Sequence, residues 1–147
     1  MSDASTYTEN RTLDFWLKAN SLTTTAPATV YLALFVGSAD SAGQAANTAA
    51  NLEEGVLTDE VSTSGTAYAR QTVAFGTITD GSVATSGTVT FPTATADFGT
   101  VSHVAIMDGA TAGAGNVIFY GDLTSAKTIE NGDTFQITAG LLTITLA

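Results

Sequence analysis

The only histidine is the residue best suited to general acid–base chemistry near neutral pH, and a serine precedes it in the segment TVSHVAIMD (100–108). A nucleophilic site would need His103, Ser102 and a carboxylate to converge on one point. Adjacent residues of a β-strand point to opposite faces, so alternation groups His103 with Val101 and Ala105 and separates it from Ser102. The sequence therefore predicts a structural or surface histidine, no catalytic residue and no enzyme activity.

The carboxylates do not form the pairs or clusters that other reactions require. Glycoside hydrolysis needs two carboxylates that flank one sugar bond. Acidic residues here stand singly at turns, where side chains usually bond the turn backbone; they are Asp80, Asp108, Asp122 and Asp133. The spacing of a calcium-binding loop and the glycine-rich phosphate loop followed by Lys are both missing from the sequence. No cofactor and no metal site is predicted, and a loop that binds calcium or a host glycan stays open as an alternative.

One cation stands out, Arg70 in TAYARQTVAFG (66–76). It follows Tyr68 by two positions, so the two side chains share a strand face. One interpretation is a contact within the chain, either a cross-strand polar contact or an arginine stacked on an aromatic ring. The other is a salt bridge between copies, directed at the acidic segment that ends at Glu60. The candidate interface under the second interpretation comprises Tyr68, Arg70, Glu53, Glu54, Asp59 and Glu60.

The charge balance excludes several classes of partner. The formal net charge is −10, with only four Lys and Arg residues. Four dispersed cations cannot neutralise a run of phosphates, so we expect no nucleic-acid binding, and no attraction to an anionic membrane. Copies of such a chain repel one another, so apolar and hydrogen-bonded contacts must hold them together. We expect these contacts at strand edges, at the N-terminal arm or in the segment 37–64.

Short alternating segments separated by turn residues occupy the chain from Gly65 to Leu146. They are rich in Val, Ile, Thr, Phe and Tyr, a pattern typical of a sandwich or barrel. The earlier segment TVYLALFV (29–36) is apolar on both faces, so we expect a strand that is central or is covered on its second face, for example by the N-terminal helix. The chain has no cysteine, so burial alone must hold it together. The predicted fold class is all-β, an antiparallel β-sandwich with one N-terminal α-helix.

The N-terminal region predicts that one helix. Thr6 and Glu9 match a capping box with Thr6 at the N-cap, and the helix would extend from Tyr7 to Ala19. An apolar stripe at i, i+3 and i+4 is expected to bury Trp16 and hold the helix on the fold; its members are Leu13, Trp16 and Leu17.

The predicted organisation is a flexible N-terminal arm at 1–6, followed by a single domain at 7–147. Between 37 and 64 the periodicity fades into small residues and then into acidic ones. We predict that this long excursion is solvated, with a short strand or turn at 52–61.

Four segments taken together resemble one family: TAPATVYLALF (25–35), YARQTVAFG (68–76), VTFPTATADFGTVSHVAIMD (89–108) and VIFYGDLTSAKTIENGDTFQITAGLLTITL (117–146). They are similar to small virion proteins of tailed bacteriophages, usually labelled tail-fibre-like or minor structural proteins. The resemblance covers nearly the whole chain and carries no catalytic residues to transfer. It implies a non-enzymatic structural protein of the virion, made in the host cytoplasm.

Among the stations on a virion, we favour a capsid decoration (cement) protein on the outer shell. An acidic β-domain without a repetitive shaft suits docking on a shell lattice. The expected partners are the major capsid protein or other virion proteins, and copies of the chain itself. The alternatives are a structural protein associated with the tail fibre or baseplate, and a carbohydrate-binding receptor module. A receptor module needs exposed aromatic side chains, whereas the four tyrosines fall mostly within the predicted helix or strands.

Overall fold

The structure, a computed structural model, describes residues 3–18, 26–37 and 46–146, with side chains from 48 onward in the last range. Its elements in chain order are β1 (Asp3–Ala4), α1 (Thr6–Leu17), β2 (Val30–Val36), α2 (Ala46–Glu54), β3 (Gln71–Val73), β4 (Ser82–Ala84), β5 (Val89–Thr90), β6 (Gly99–Met107), β7 (Val117–Ile129), β8 (Gln136–Ile137) and β9 (Thr143–Thr145). Strand pairs within the described ranges are antiparallel. The predicted all-β fold class is confirmed, with two helices where one was predicted.

Five strands form the main sheet in the order β1-β7-β6-β2-β3, and β4 pairs with β9 and β5 with β8 in two small sheets. The small sheets pack on one face of the main sheet through a shared apolar cluster that contains Leu34 and Val104 of the main sheet with Val89 and Ile144 of the small sheets. Both β2 and β6 lie inside the main sheet, which explains why their sequences are apolar on both faces.

Alternation along β2 sends side chains into two separate clusters. Leu32 and Leu34 belong to the cluster beneath the small sheets, whereas Ala33 and Phe35 belong to a second cluster on the opposite face. Leu52 of α2 lies in that second cluster and is 0% exposed. The prediction that 29–36 is a central or covered strand is therefore confirmed, but the helix that covers it is α2 and not the N-terminal helix α1.

The described part of the excursion, residues 46–64, is anchored to the fold, which corrects the prediction of a solvated segment there. Residues 46–54 form α2. The strand or turn predicted at 52–61 therefore begins inside a helix. The chain then returns along β2, where the Val36 N–H donates to the Asp59 carbonyl at 2.9 Å and the Val61 N–H to the Leu34 carbonyl at 3.0 Å. The sequence hid this helix because its buried positions are small or isolated, Thr48 and Leu52 at i and i+4. Residues 38–45 lie outside the described part of the chain.

The N-terminal arm is ordered from residue 3 onward, whereas a flexible segment was expected at 1–6. Residues 3 and 4 form β1 on the edge of β7, and Ser5 caps α1 by accepting a hydrogen bond from the Thr8 N–H at 3.4 Å. The cap is thus one residue before Thr6, and the helix ends at Leu17. Ser5 is favoured over Thr6 as the cap because the buried Ser5 hydroxyl also donates to the Val117 carbonyl of β7. Residues 1 and 2, and the predicted helix end at 19, lie outside the described residues.

The prediction that Trp16 is buried is wrong. All twelve residues of α1 are described, and none of them is buried. Leu13 is 53%, Trp16 75% and Leu17 76% exposed. The helix is attached through polar groups of its first turns, such as the Thr8 hydroxyl, which donates to the Ile118 carbonyl at 2.8 Å. Periodicity identified the apolar stripe correctly, but the stripe faces away from the sheet.

Replacing Trp16 by Ala should therefore change the free energy of unfolding by less than about 0.5 kcal/mol, because an exposed side chain leaves no cavity. Urea denaturation in dilute solution measures this change. A loss of about 3–5 kcal/mol, typical of a buried aromatic residue, would contradict the exposed position.

Candidate functional site

Arg70 and Glu60 form a bidentate ion pair inside the fold. The Nε of Arg70 donates to Oε1 of Glu60 and its Nη2 donates to Oε2, both at 2.7 Å. Their side chains are 0% and 3% exposed. Two parallel charge-assisted hydrogen bonds fix the plane of the guanidinium as well as its distance. The ion pair that the sequence suggested between copies is made within one chain, to the acidic segment that the sequence indicated.

The ion pair also holds the loop between β6 and β7. The Nη1 of Arg70 donates to the carbonyls of Gly109 and Ala114 at 2.8 and 2.9 Å. The Gly113 N–H donates to Oε2 of Glu60 at 2.7 Å. Because the neighbouring backbone satisfies the remaining donors and acceptors, these hydrogen bonds help to offset the desolvation penalty of burying the two charges.

Tyr68 connects this ion pair to the centre of the sheet. Its hydroxyl donates to Oε1 of Glu60 at 3.0 Å and accepts from the Leu34 N–H at 3.0 Å. Burial raises the pKa of Tyr68 far above its ordinary value, and the negative charge of Glu60 raises it further. The phenol is therefore neutral and keeps its proton for the bond to Glu60. Tyr68 and Arg70 were predicted to share a strand face. Both side chains bond Glu60, so the three residues form one structural network.

The remaining candidate interface residues lie in two different environments. Asp59 is half-buried and accepts hydrogen bonds from Thr48 Oγ1 at 3.2 Å and Asn51 Nδ2 at 3.1 Å, so it ties α2 to the return segment. Glu53 and Glu54 are exposed at the end of α2. Of the six predicted residues, these two are the ones whose position leaves them accessible to a partner.

Ser102 and His103 come together, contrary to the prediction from strand alternation. The pairing of β2 with β6 shifts between Phe35↔His103 and Val36↔Val101, so Ser102 is an extra residue in a β-bulge. The bulge moves Val101 into the cluster beneath the small sheets, away from the His103 face, and brings Ser102 Oγ to 2.8 Å from His103 Nδ1. Among the described residues, no carboxylate forms a hydrogen bond or ion pair with this ring. The contact is a local pair rather than an aligned triad.

Burial of the His103 ring lowers its pKa below the ordinary value of 6.5, and the carboxylates of Asp122 and Asp59 partly oppose this shift. A histidine with a lowered pKa in the folded state binds fewer protons than it does in the unfolded state. Stability is therefore fully present above pH 6.5 and is lost as the pH falls below that value.

We expect the unmodified chain to lose more stability than His103→Gln when the pH is lowered from about 7.5 to about 5.5, across the ordinary histidine pKa. Urea midpoints of both proteins at the two pH values measure the difference. Equal losses in the two proteins would show that the ring does not resist protonation.

The exposed surface of the arm contains an aromatic pair, one member of which, Trp16, was predicted to be buried. Phe15 and Trp16 meet edge to face with ring centroids 5.1 Å apart. They line one side of a groove of about 460 Å³, and Pro27 and Ile118 lie among the residues of the other side. The capping serine was also missed, although a Ser-Thr pair before an amphipathic segment offers two possible caps.

The described part of the chain shows neither a metal-binding cluster nor a membrane-spanning helix. Residues 3–18, 26–37 and 46–146 contain no group of three or more metal-ligating side chains close enough to hold an ion. Over the same ranges, no helix is long and apolar enough to cross a membrane.

A comparison with protein families gives one match that covers most of the chain. The family described as "Podophage GP4 fiber I protein gp80" matches residues 3–145, from β1 through β9. No curated protein matches the chain. The match includes the arm as well as the two-layered body, and it confirms the resemblance to phage virion proteins. The chain therefore belongs to the podophage GP4 fiber I protein gp80 family, a family of bacteriophage virion structural proteins.

Proposed function

We propose that this chain is a non-enzymatic structural component of the phage tail fibre. The observation that carries the proposal is the family match over residues 3–145, because the family description names a fibre protein. Its role is to present surfaces to other virion proteins and to copies of itself. Tail-fibre association was one of the alternatives that the sequence left open, and the fibre named in the family description supports it.

The geometry suits such a role. An apolar cluster lies on each face of β2, and a satisfied ion pair anchors the loop at 109–114, so the body is a rigid support. The apolar groups outside the core concentrate on α1, where Leu13, Trp16 and Leu17 are each more than half exposed. An apolar patch of this kind on a polar surface is typical of a protein–protein contact.

A capsid decoration protein is the second candidate. A shell lattice presents one binding patch many times over, so a decoration protein needs only one complementary surface. The net charge of −10 and the absence of a repeated shaft motif in the sequence favour this station.

The number of copies per virion distinguishes the two stations. We expect quantitative mass spectrometry of purified virions to find far fewer copies of this chain than of the major capsid protein, because a tail admits only the copies that its own symmetry allows. Shearing the tails from the heads should remove the chain. A copy number close to that of the capsid protein, with the chain retained on tailless heads, would overturn the fibre proposal in favour of decoration.

A further inference from the structure

The N-terminal arm, defined as residues 3–18, sits in a slot on the outer edge of β7. Its strand β1 pairs Asp3 with Tyr120 and Ala4 with Phe119. The Ser5 N–H then donates to the Ile118 carbonyl at 3.2 Å. The arm therefore supplies the edge strand of the main sheet, and it does so from the beginning of the chain.

Two hydroxyls make this slot specific for the arm's own sequence. The Ser5 side chain, 1% exposed, donates to the Val117 carbonyl, and Thr8 Oγ1 donates to the Ile118 carbonyl. Both acceptors are backbone carbonyls at the start of β7. Every copy of the chain carries the same slot, so the segment that fits it is residues 3–8 of this sequence, whichever copy donates them.

The arm is held without the burial of any large apolar side chain. No residue of α1, which the structure describes throughout, is buried. Attachment rests mainly on hydrogen bonds to an edge strand, and each such bond adds only a modest net free energy because water replaces it when it opens. Segments with few buried apolar contacts open at a much lower free energy than the whole fold. The arm can therefore leave its slot while the rest of the chain stays folded.

The apolar patch of the arm lies in the last turns of α1. Its members are Leu13, Trp16 and Leu17, and the groove beside Trp16 is completed by Ala26 and Pro27, where the chain enters β2. In a reciprocal exchange of arms a two-fold axis relates the two copies, so each copy offers the same patch to the other. The helix with its last cap also carries no net charge, so the repulsion between copies at −10 is smallest there; its charged residues are Glu9, Arg11, Asp14 and Lys18.

We propose that the arm is exchanged between two copies. Residues 3–18 of one chain occupy the β7 edge of a second chain, and residues 3–18 of the second chain occupy the β7 edge of the first. The partner is a second copy because only this sequence is shown to fill the slot. The exchange covers the apolar ends of the two α1 helices against each other. This inference does not depend on whether the chain is placed in the tail fibre or on the capsid shell.

The test uses the absence of cysteine from the sequence. Ala4 and Phe119 are opposed across β1 and β7, and the neighbouring pair, Ser5 with Ile118, carries the backbone hydrogen bond. Ala4 and Phe119 are therefore a non-hydrogen-bonded pair, whose close Cα atoms suit a disulfide. In the Ala4→Cys/Phe119→Cys variant, oxidation should yield a covalent dimer, with peptide mapping that joins residue 4 of one chain to residue 119 of another.

Several outcomes would overturn the proposal. They are a disulfide that closes within one chain, a dimer whose thiols do not react, and a chain that sediments as a monomer whatever the state of its thiols. Phe119 packs against the core, so Phe119→Cys alone serves as the control for folding. A second check mixes Ala4→Cys chains with Phe119→Cys chains that carry a different tag and refolds them together before oxidation. Arm exchange predicts a mixed disulfide between the two tagged chains, and its absence counts against exchange.

A matched pair of substitutions tests the role of the apolar patch. Leu17→Ser should weaken the dimer about tenfold or more, the effect of losing one buried leucine side chain. Ile78→Ser removes a side chain of similar size and exposure, 72% against 76%, from a site outside the arm. It should leave the dimer dissociation constant unchanged in sedimentation equilibrium. Equal weakening by the two substitutions, or none by Leu17→Ser, would show that the patch does not lie between copies.

Discussion

Replacing Arg70 by Ala should lower the free energy of unfolding by about 3–5 kcal/mol, because Glu60 would be left as an unpaired charge inside the fold. The Glu60 side chain is 3% exposed, so water cannot take the place of the guanidinium. The carbonyls of Gly109 and Ala114 would lose their donor at the same time. Glu60→Ala should lower the free energy of unfolding by a similar amount, since it leaves the Arg70 cation without its partner.

The exposed ion pair of α1 provides the control. Lys18 Nζ lies 2.8 Å from Asp14 Oδ1, but the two side chains are 69% and 46% exposed. Lys18→Ala should therefore leave the urea midpoint essentially unchanged. A shift for Arg70→Ala no larger than that for Lys18→Ala would show that the buried pair does not stabilise the fold.

The double variant Arg70→Ala/Glu60→Ala distinguishes the loss of stability caused by one unpaired charge from the loss caused by removing the whole pair. Removing both charges leaves no uncompensated ion, so its loss of stability should be smaller than the sum of the two single losses. An additive result in the same urea series would mean that the two residues act independently, which the bidentate geometry contradicts.

Replacing Phe91 by Ala should cost about 3–5 kcal/mol, because it deletes a large buried side chain and leaves a cavity that the core can only partly close. Phe91 is 1% exposed and lies in the cluster between the main sheet and the small sheets. Its ring is stacked on Tyr68 with centroids 6.1 Å apart and meets Phe135 at 5.9 Å. The loss therefore affects both layers of the fold.

Ile78→Ala is the matched surface control, since Ile78 is 72% exposed. Its free energy of unfolding should change by less than about 0.5 kcal/mol. Guanidinium denaturation of the two variants, followed by circular dichroism, compares them directly. Similar small losses in both would mean that the cluster around Phe91 is loosely packed.

Local patterns in the sequence were enough to predict the parts of the fold that depend on local geometry. The doubly apolar segment 29–36 predicted a strand that is central or covered, and β2 occupies such a position. Asp80 was predicted to stand at a turn, and Asp80 and Gly81 have the positive φ angles, 49° and 73°, that are typical of a two-residue hairpin turn. Arg70 was paired with the acidic segment only under the interpretation of a salt bridge between copies, whereas the structure forms this ion pair within one chain.

Only the tertiary structure decided what these elements face. The stripe on α1 and the Thr48–Leu52 face of α2 are both amphipathic, yet the face of α2 covers β2 and the stripe on α1 is exposed. Periodicity reports which side of a helix is apolar, and carries no information about the surface that the side meets. The Ser102 bulge and the intrachain location of the Arg70 ion pair likewise depend on strand register between distant segments, which no local pattern specifies.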